Sequence, residues 1–265
     1  MTSSPPASQA APPGSPGPPA EAPRALVRTW ALAVGGLALA KGLSFAEPTG
    51  LLAANLAGVA AFLFIALPDA RLRARGEGWT AYGVPYHGLG DRRTWRAAGR
   101  GAALGLAVCA LVLPLFAAAF WIYGEWILPR LPGALARVVA PYGGPLRFHL
   151  RWPPGTLVFA LVQLLVVALP EELFYRGWMQ AAWARTAPSR GVNVLGARLG
   201  AGFVWTQVLF AVGHLVVLQP WRLATFFPGL LFGWVRARTG SIVAPVVVHA
   251  LSNVFIRTLE LSFYR

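Results

Sequence analysis

Two adjacent glutamates, Glu171 and Glu172, stand at the end of the apolar run 155–169 and are followed closely by Arg176. Carboxylates at hydrocarbon depth cost on the order of a few kcal/mol each, and they usually face a protein interior or a wet cavity. Positions four apart share a helix face, so Glu172 and Arg176 can form an ion pair. Glu171, one residue earlier, points about 100° away and remains available for proton transfer.

Three further polar side chains, His214, His249 and Asn253, lie inside later apolar runs. His249 and Asn253 are four residues apart and therefore project from the same helix face. A carboxylate, two imidazoles and an amide at comparable depth can deprotonate a water and stabilise an oxyanion. Each group alone is typical of a hydrogen bond between helices, and Glu172 with Arg176 could be a structural pair. Their concentration on three late helices favours a site.

Three short motifs on successive apolar segments agree in order and internal spacing with a known family. The motifs are Glu171-Glu172-x-x-x-Arg176, Phe210-x-x-x-His214 and His249-x-x-x-Asn253. The set resembles the CPBP family of intramembrane proteases, which includes the type II CAAX prenyl endopeptidases and the bacterial Abi-like proteins. The motifs occupy about a third of the chain. The resemblance implies that Glu172 and Arg176 support the site, with Arg176 fixing the carboxylate geometry.

The resemblance also implies a reaction, the hydrolysis of a peptide bond in a membrane-associated protein. Glu171 would activate the attacking water, and His214 would orient or activate the same water. His249 and Asn253 would stabilise the tetrahedral oxyanion. The substrate stays open among prenylated proteins, bacteriocin-like peptides and proteins with C-terminal sorting tails.

Metal dependence is a separate question, because the family has been described both as metalloproteases and as metal-independent glutamate proteases. Glu171, His214 and His249 could form a His₂Glu zinc site with an open position for water. The HExxH helix spacing of common zinc peptidases is absent, which favours direct glutamate catalysis. The expected cofactor is therefore either none or a divalent metal such as zinc.

Two other classes of function can use the same polar groups. A proton-coupled transporter would employ the carboxylates and histidines as a relay, but it predicts internal pseudo-repeats of broken helices, and the sequence shows none. A non-catalytic immunity or scaffold member of the family is the other alternative, against which the complete motif set argues.

One competing motif, Gly88-Leu89-Gly90-Asp91, has the GxGD pattern of intramembrane aspartyl proteases. It lies in an arginine-rich connection, and the only other aspartate is Asp69. An aspartyl dyad needs two carboxylates in contact. The sequence therefore predicts a turn at this position.

Composition indicates a membrane protein. The 265 residues are 56% hydrophobic and 12% charged, with a mean hydropathy of +0.56, whereas soluble domains carry about a quarter charged residues. The net charge of +14 comes from arginines clustered between apolar runs, and they form no basic face with interleaved aromatics. This pattern favours contact with anionic lipid head groups and argues against a nucleic-acid partner. The expected partners are a lipid bilayer and a membrane-anchored protein or peptide.

The expected fold is an all-α, polytopic transmembrane helical bundle with about seven to eight spans. Residues 1–24 are expected to form a disordered cytoplasmic tail rich in Pro and Ala, and residues 25–265 the helical domain, with the catalytic motif core at 155–257. The seven apolar segments are 26–43, 49–67, 101–123, 155–185, 199–218, 223–235 and 241–255.

Arginine-rich connections indicate the orientation of these segments. The connection 71–100 is the clearest cytoplasmic loop, which places the N-terminus in the cytoplasm and a seven-span C-terminus outside. The expected location is the cell (inner) membrane, with multiple passes. Pro170, near the middle of the segment 155–185, predicts an interruption of that helix.

Overall fold

The computed structural model describes residues 21–139, 146–186 and 191–264. The predicted disordered tail falls almost entirely outside the described residues. Within them the chain is mostly helical, as predicted. The α-helices are α1 Pro23–Leu43, α2 Leu51–Ala54, α3 Leu56–Ala74, α4 Arg92–Ile122, α5 Gly133–Val139, α6 Thr156–Thr186, α7 Ala201–Gly213, α8 Phe226–Thr239 and α9 Val243–Phe263.

Four helices in the described part of the chain are long and apolar enough to cross a membrane, namely α1, α4 with its continuation to Arg130, α6 and α9. A shorter apolar helix comprises α7 and the 3₁₀ turn after it, Ala201–Val217. Helix α3 has 19 residues but carries three charged side chains in its second half, and α8 has only 14 residues. The chain is thus a membrane protein, while the count of seven to eight spans stays a prediction.

Helix α9 is central because α4, α6 and α8 all pack on it. Its contact with α4 depends on two glycines of α4 that are four residues apart. A Cβ at Gly101 would lie 2.8 Å from Val243 Cβ, and one at Gly105 would lie 2.9 Å from the carbonyl oxygen of Ala244. Small residues at this spacing let two helix backbones approach closely in a membrane.

Helix α6 begins and ends where the sequence predicts, but it is not a regular α-helix. Two π turns, Gln163–Ala168 and Leu173–Met179, flank Pro170. Two α-helical turns hold about 7.2 residues, and a π turn accommodates about one more. Residues eight apart across such a turn, including Glu172 and Gln180, therefore share a face.

A short β-hairpin, which the all-α prediction did not include, connects α6 to α7. Its strands are β1 Val192–Val194 and β2 Ala197–Leu199, paired antiparallel. Leu195 and Gly196 form the turn with positive φ angles of 48° and 79°. Trp234 of α8 donates from its indole nitrogen to a carbonyl oxygen of β1 at 2.9 Å, which attaches the hairpin to the bundle.

The two aspartates of the chain lie apart and bind different partners. The Asp91 carboxylate caps α4 by accepting from the Arg93 amide at 2.8 Å. Asp69 accepts from Arg73 at 2.6 Å and from the Trp79 indole at 3.0 Å. The turn predicted at the GxGD pattern is confirmed, and these carboxylates form no dyad.

Candidate active site

A fully buried ion pair is the structural centre of the site. Arg176 Nη1 donates to Glu172 Oε1 at 2.9 Å, and both side chains are 0% exposed. Nη2 donates to Gln207 Oε1 at 2.9 Å and to the carbonyl oxygen of Gly229 at 3.3 Å. The guanidinium also lies 4.1 Å from the ring centroid of Phe210. A desolvated charge is tolerated when it is paired and hydrogen-bonded in this way, and the predicted Glu172–Arg176 pair is present.

His249 joins this pair from α9. Its Nδ1 lies 2.9 Å from Glu172 Oε1, and since a carboxylate oxygen accepts, Nδ1 carries a hydrogen. The imidazole is stacked on Phe232 with 4.7 Å between centroids and an interplanar angle of 18°. These two contacts set the ring orientation and leave Nε2 facing Glu171.

His214 is held in a similar way at the end of α7. Its Nδ1 lies 2.8 Å from the carbonyl oxygen of Phe210, which can only accept, so Nδ1 again carries a hydrogen. The Phe210 ring meets the imidazole edge to face at 4.5 Å between centroids. Nε2 of His214 also faces Glu171.

Glu171 lies between the two imidazoles. Its Oε2 atom is 4.0 Å from His214 Nε2 and 3.9 Å from His249 Nε2. The side chain is 16% exposed, and Oε2 is buried without a hydrogen-bond partner among the described residues. A water that makes hydrogen bonds of about 2.8 Å to two atoms, with a right angle between the two bonds, holds these atoms roughly 4 Å apart. The distances from Glu171 Oε2 to the two imidazole nitrogens therefore suit a bridging water.

Asn253 does not join the carboxylates directly. It lies one turn beyond His249 on α9 and donates from Nδ2 to Gln163 Oε1 at 2.9 Å. Gln163 is eight residues before Glu171 with a π turn between them, so the two share a face of α6. Sequence reasoning did not assign Gln163 to the site, although it is one of two polar residues in its apolar run.

Two further amides extend the buried network, and sequence reasoning missed both. Gln207 accepts from Arg176, and Gln180 donates to the carbonyl oxygen of Gly233 at 2.9 Å. The glycines of α8 make room for them: a Cβ at Gly233 would lie 2.6 Å from Gln207 Nε2, and one at Gly229 would lie 3.2 Å from Arg176 Nη2. The sequence features that could have indicated this network are an isolated glutamine in the apolar segment of α7 and two glycines four residues apart in α8.

The possible metal ligands Glu171, His214 and His249 converge, but their donor atoms are farther apart than in a tetrahedral zinc site. In residues 21–139, 146–186 and 191–264, no group of three or more His, Cys, Asp or Glu side chains could hold a metal ion. Two ligands of a tetrahedral zinc ion stand roughly 3.3 Å apart, and the donor atoms here are 3.9 and 4.0 Å apart.

Comparison with known families gives one match. Residues 153–255 match the family model described as type II CAAX prenyl endopeptidase Rce1-like. This segment is similar to the Rce1-like endopeptidases. The match covers less than half of the 265-residue chain. Comparison with curated proteins and with solved structures found no significant match.

The matched segment contains every predicted site residue and the buried network around them. It confirms the resemblance to the CPBP proteases that the three motifs indicate. The members of the matched family are intramembrane peptidases.

Proposed function

We propose that the chain is an intramembrane endopeptidase in which Glu171 directly activates the attacking water. The observation that carries this proposal is the position of Glu171 Oε2, 3.9 and 4.0 Å from the Nε2 atoms of His249 and His214. Both imidazoles are fixed through their Nδ1 atoms. A preorganised set of this kind lowers the cost of proton transfer during the reaction.

The first half of the reaction uses Glu171 and His214. A water donates one hydrogen bond to Glu171 Oε2 and the other to His214 Nε2, which directs an oxygen lone pair at the scissile carbonyl carbon. As the carbon–oxygen bond forms, the water proton passes to Glu171. Collapse of the tetrahedral intermediate breaks the carbon–nitrogen bond, and Glu171 returns the proton to the leaving amine.

The oxyanion is stabilised from α9. In the proposed reaction His249 is an imidazolium that keeps its hydrogens on Nδ1 and Nε2 throughout, with its charge opposed by Glu172 Oε1 at 2.9 Å. Its Nε2 hydrogen is donated to the oxyanion. The Asn253 amide has a second hydrogen besides the one given to Gln163, and this hydrogen completes the pair of donors. No step of this reaction passes through a metal.

The proposed setting is the cell (inner) membrane, with seven to eight spans, a cytoplasmic N-terminus and a helical domain over residues 25–265. The substrate is a membrane-anchored protein or peptide. The matched family is described as a CAAX prenyl endopeptidase, a description that refers to prenylated C-terminal sequences. The first synthetic substrate to try is therefore a farnesylated peptide ending in Cys-aliphatic-aliphatic-X.

The test compares membrane and surface proteomes of a deletion strain complemented with wild type, with Glu171→Ala or with Glu260→Ala. Glu260 lies on α9 in an ion pair with Arg257 and provides a matched carboxylate outside the site. We expect new peptide termini in the wild-type and Glu260→Ala strains only. Equal processing by Glu171→Ala at equal protein level would overturn the proposal, and ion flux without cleavage in reconstituted vesicles would favour a transporter.

A further inference from the structure

Gln207 of α7 is completely buried and is bonded at both ends of its amide. Oε1 accepts from Arg176 Nη2 at 2.9 Å, and Nε2 donates to the carbonyl oxygen of Phe203 at 3.0 Å. The same Nε2 lies 3.4 Å from Gln180 Oε1. The side chain is 0% exposed.

The orientation of this amide is determined by its partners. A guanidinium can only donate, so the oxygen of Gln207 must face Arg176. The Phe203 carbonyl can only accept, so the nitrogen must face Phe203. Rotation of the amide by 180° would lose both hydrogen bonds and leave buried polar groups unpaired, which is unfavourable.

The contacts of Gln207 lead to the reacting groups in two steps. Arg176 binds Gln207 through Nη2 and Glu172 through Nη1, so the amide sets the rotation of the planar guanidinium. Glu172 Oε1 in turn binds His249 Nδ1 at 2.9 Å. A fixed guanidinium therefore fixes the carboxylate that holds the imidazole.

We infer that Gln207 is a positioning residue that acts through Arg176 and Glu172 to hold His249 in its reactive orientation. This inference rests on the proposed peptidase function. Among the described residues, Gln207 forms no hydrogen bond with a group proposed to contact the substrate, so its removal is expected to lower kcat while leaving KM nearly unchanged. A residue that served packing alone would change stability without moving His249.

The variants separate these two roles. Gln207→Leu and Gln207→Met fill the volume but cannot accept from Arg176. Gln207→Glu keeps an oxygen in the same place and, when protonated, has the shape of glutamine. Thr206→Val is the matched control, because Thr206 is also 0% exposed on α7 and its hydroxyl donates to the Gly202 carbonyl of its own helix at 2.7 Å.

Two readouts are measured on the full chain in lipid nanodiscs. The first is the ¹⁵N spectrum of protein labelled at its four histidines, with His249 assigned from His249→Gln. The second is kcat and KM for the farnesylated peptide or for a substrate found in the proteome comparison. Gln207→Leu and Gln207→Met should shift or broaden the His249 Nδ1 signal and lower kcat by about tenfold to a hundredfold. Gln207→Glu should restore most of both, and Thr206→Val should change neither.

An unchanged His249 signal in a folded Gln207→Leu or Gln207→Met variant would overturn the inference. Loss of folding in both variants would also contradict it, because Gln207 would then serve the stability of the bundle. If wild type cleaves no substrate, the proposed function fails, but the histidine spectrum still decides whether Gln207 positions His249.

Discussion

Glu171 and Glu172 are neighbours in the chain and have different surroundings because successive helical residues point about 100° apart. Glu172 is 0% exposed and binds Arg176 and His249. Glu171 is 16% exposed, and its Oε2 faces two imidazole nitrogens at 4.0 and 3.9 Å. A water can bridge atoms at these distances by hydrogen bonds. This difference in environment supports the proposal that Glu172 has the supporting role and that Glu171 transfers the proton.

Glu172→Gln should destabilise the protein strongly. It preserves shape but leaves the guanidinium of Arg176 buried without its counter-charge, which costs about 3–5 kcal/mol. The free energy of unfolding can be measured by denaturing-detergent titration. Asp69→Asn provides the control, because its partner Arg73 is 80% exposed and such pairs contribute about 0–1 kcal/mol. Equal effects of the two variants would contradict the account of the buried pair.

Metal chelation should leave cleavage intact. The donor atoms of Glu171, His214 and His249 are spaced for a hydrogen-bonded water and stand farther apart than the ligands of a tetrahedral zinc ion. We expect 1,10-phenanthroline to change the cleavage rate by less than about twofold, while a zinc peptidase in the same lipid mixture loses activity. Loss of activity that added zinc restores would refute direct glutamate catalysis.

At the scale of elements, the backbone of α8 lies close to the Glu172–Arg176 ion pair because Gly229 has no side chain. Gly229→Ala should place a methyl group 3.2 Å from Arg176 Nη2 and from Phe210 Cδ1, which costs about 1–3 kcal/mol by overpacking. Activity should fall with stability, since the guanidinium has to move. Gly58→Ala on α3 is the control, with no atom within 4 Å of the added group; it should be neutral or stabilising. Tolerance of Gly229→Ala in both assays would refute this packing.

The connection between α3 and α4 is attached to the bundle by Glu77, whose carboxylate is 5% exposed. It accepts from Tyr82, Arg75 and Arg185. Burial opposes ionisation, yet the hydrogen bonds from Tyr82 and Arg75 outweigh it and hold the pKa of Glu77 below its usual 4.5. Burial, followed by the bond to Glu77, raises the pKa of Tyr82 to about 12.

A lowered folded-state pKa contributes stability that is complete above the unfolded value and is lost as pH falls through the folded value. The melting temperature of the wild-type protein should therefore be higher than that of the Glu77→Gln variant at pH 7. The difference should shrink as the pH is lowered below 4.5. A difference that is constant from pH 7 to pH 3 would show that the charge of Glu77 does not attach this connection.

The bounds of α6 and the six predicted site residues follow from apolar run length and from spacings of four, which the sequence displays directly. The two π turns of α6 could not be predicted from the sequence, because no residue type marks the position where the backbone hydrogen bonds shift by one residue. Gln207 shows only that a polar group is buried, since its partner Arg176 is 31 residues away. The hairpin Val192–Leu199 is too short for a pattern to predict.

At the scale of the whole molecule, the site lies among α6, α7, α8 and α9, and α4 packs behind α9. The segment that matches the Rce1-like family, residues 153–255, includes α6, α7, α8 and the first part of α9. Helices α1 and α3 pack together and contact α6 and the end of α7. The reacting groups are therefore fixed by helix contacts inside one bundle.

The most direct test of the central claim is the cleavage rate of Glu171→Gln in proteoliposomes, acting on a substrate that the wild-type strain processes. Glutamine keeps the size of the side chain but cannot take a proton from water. The account predicts a loss of about a hundredfold to ten-thousandfold in kcat, with the melting temperature and the His249 Nδ1 signal preserved. A Glu171→Gln protein that cleaves at the wild-type rate would contradict it.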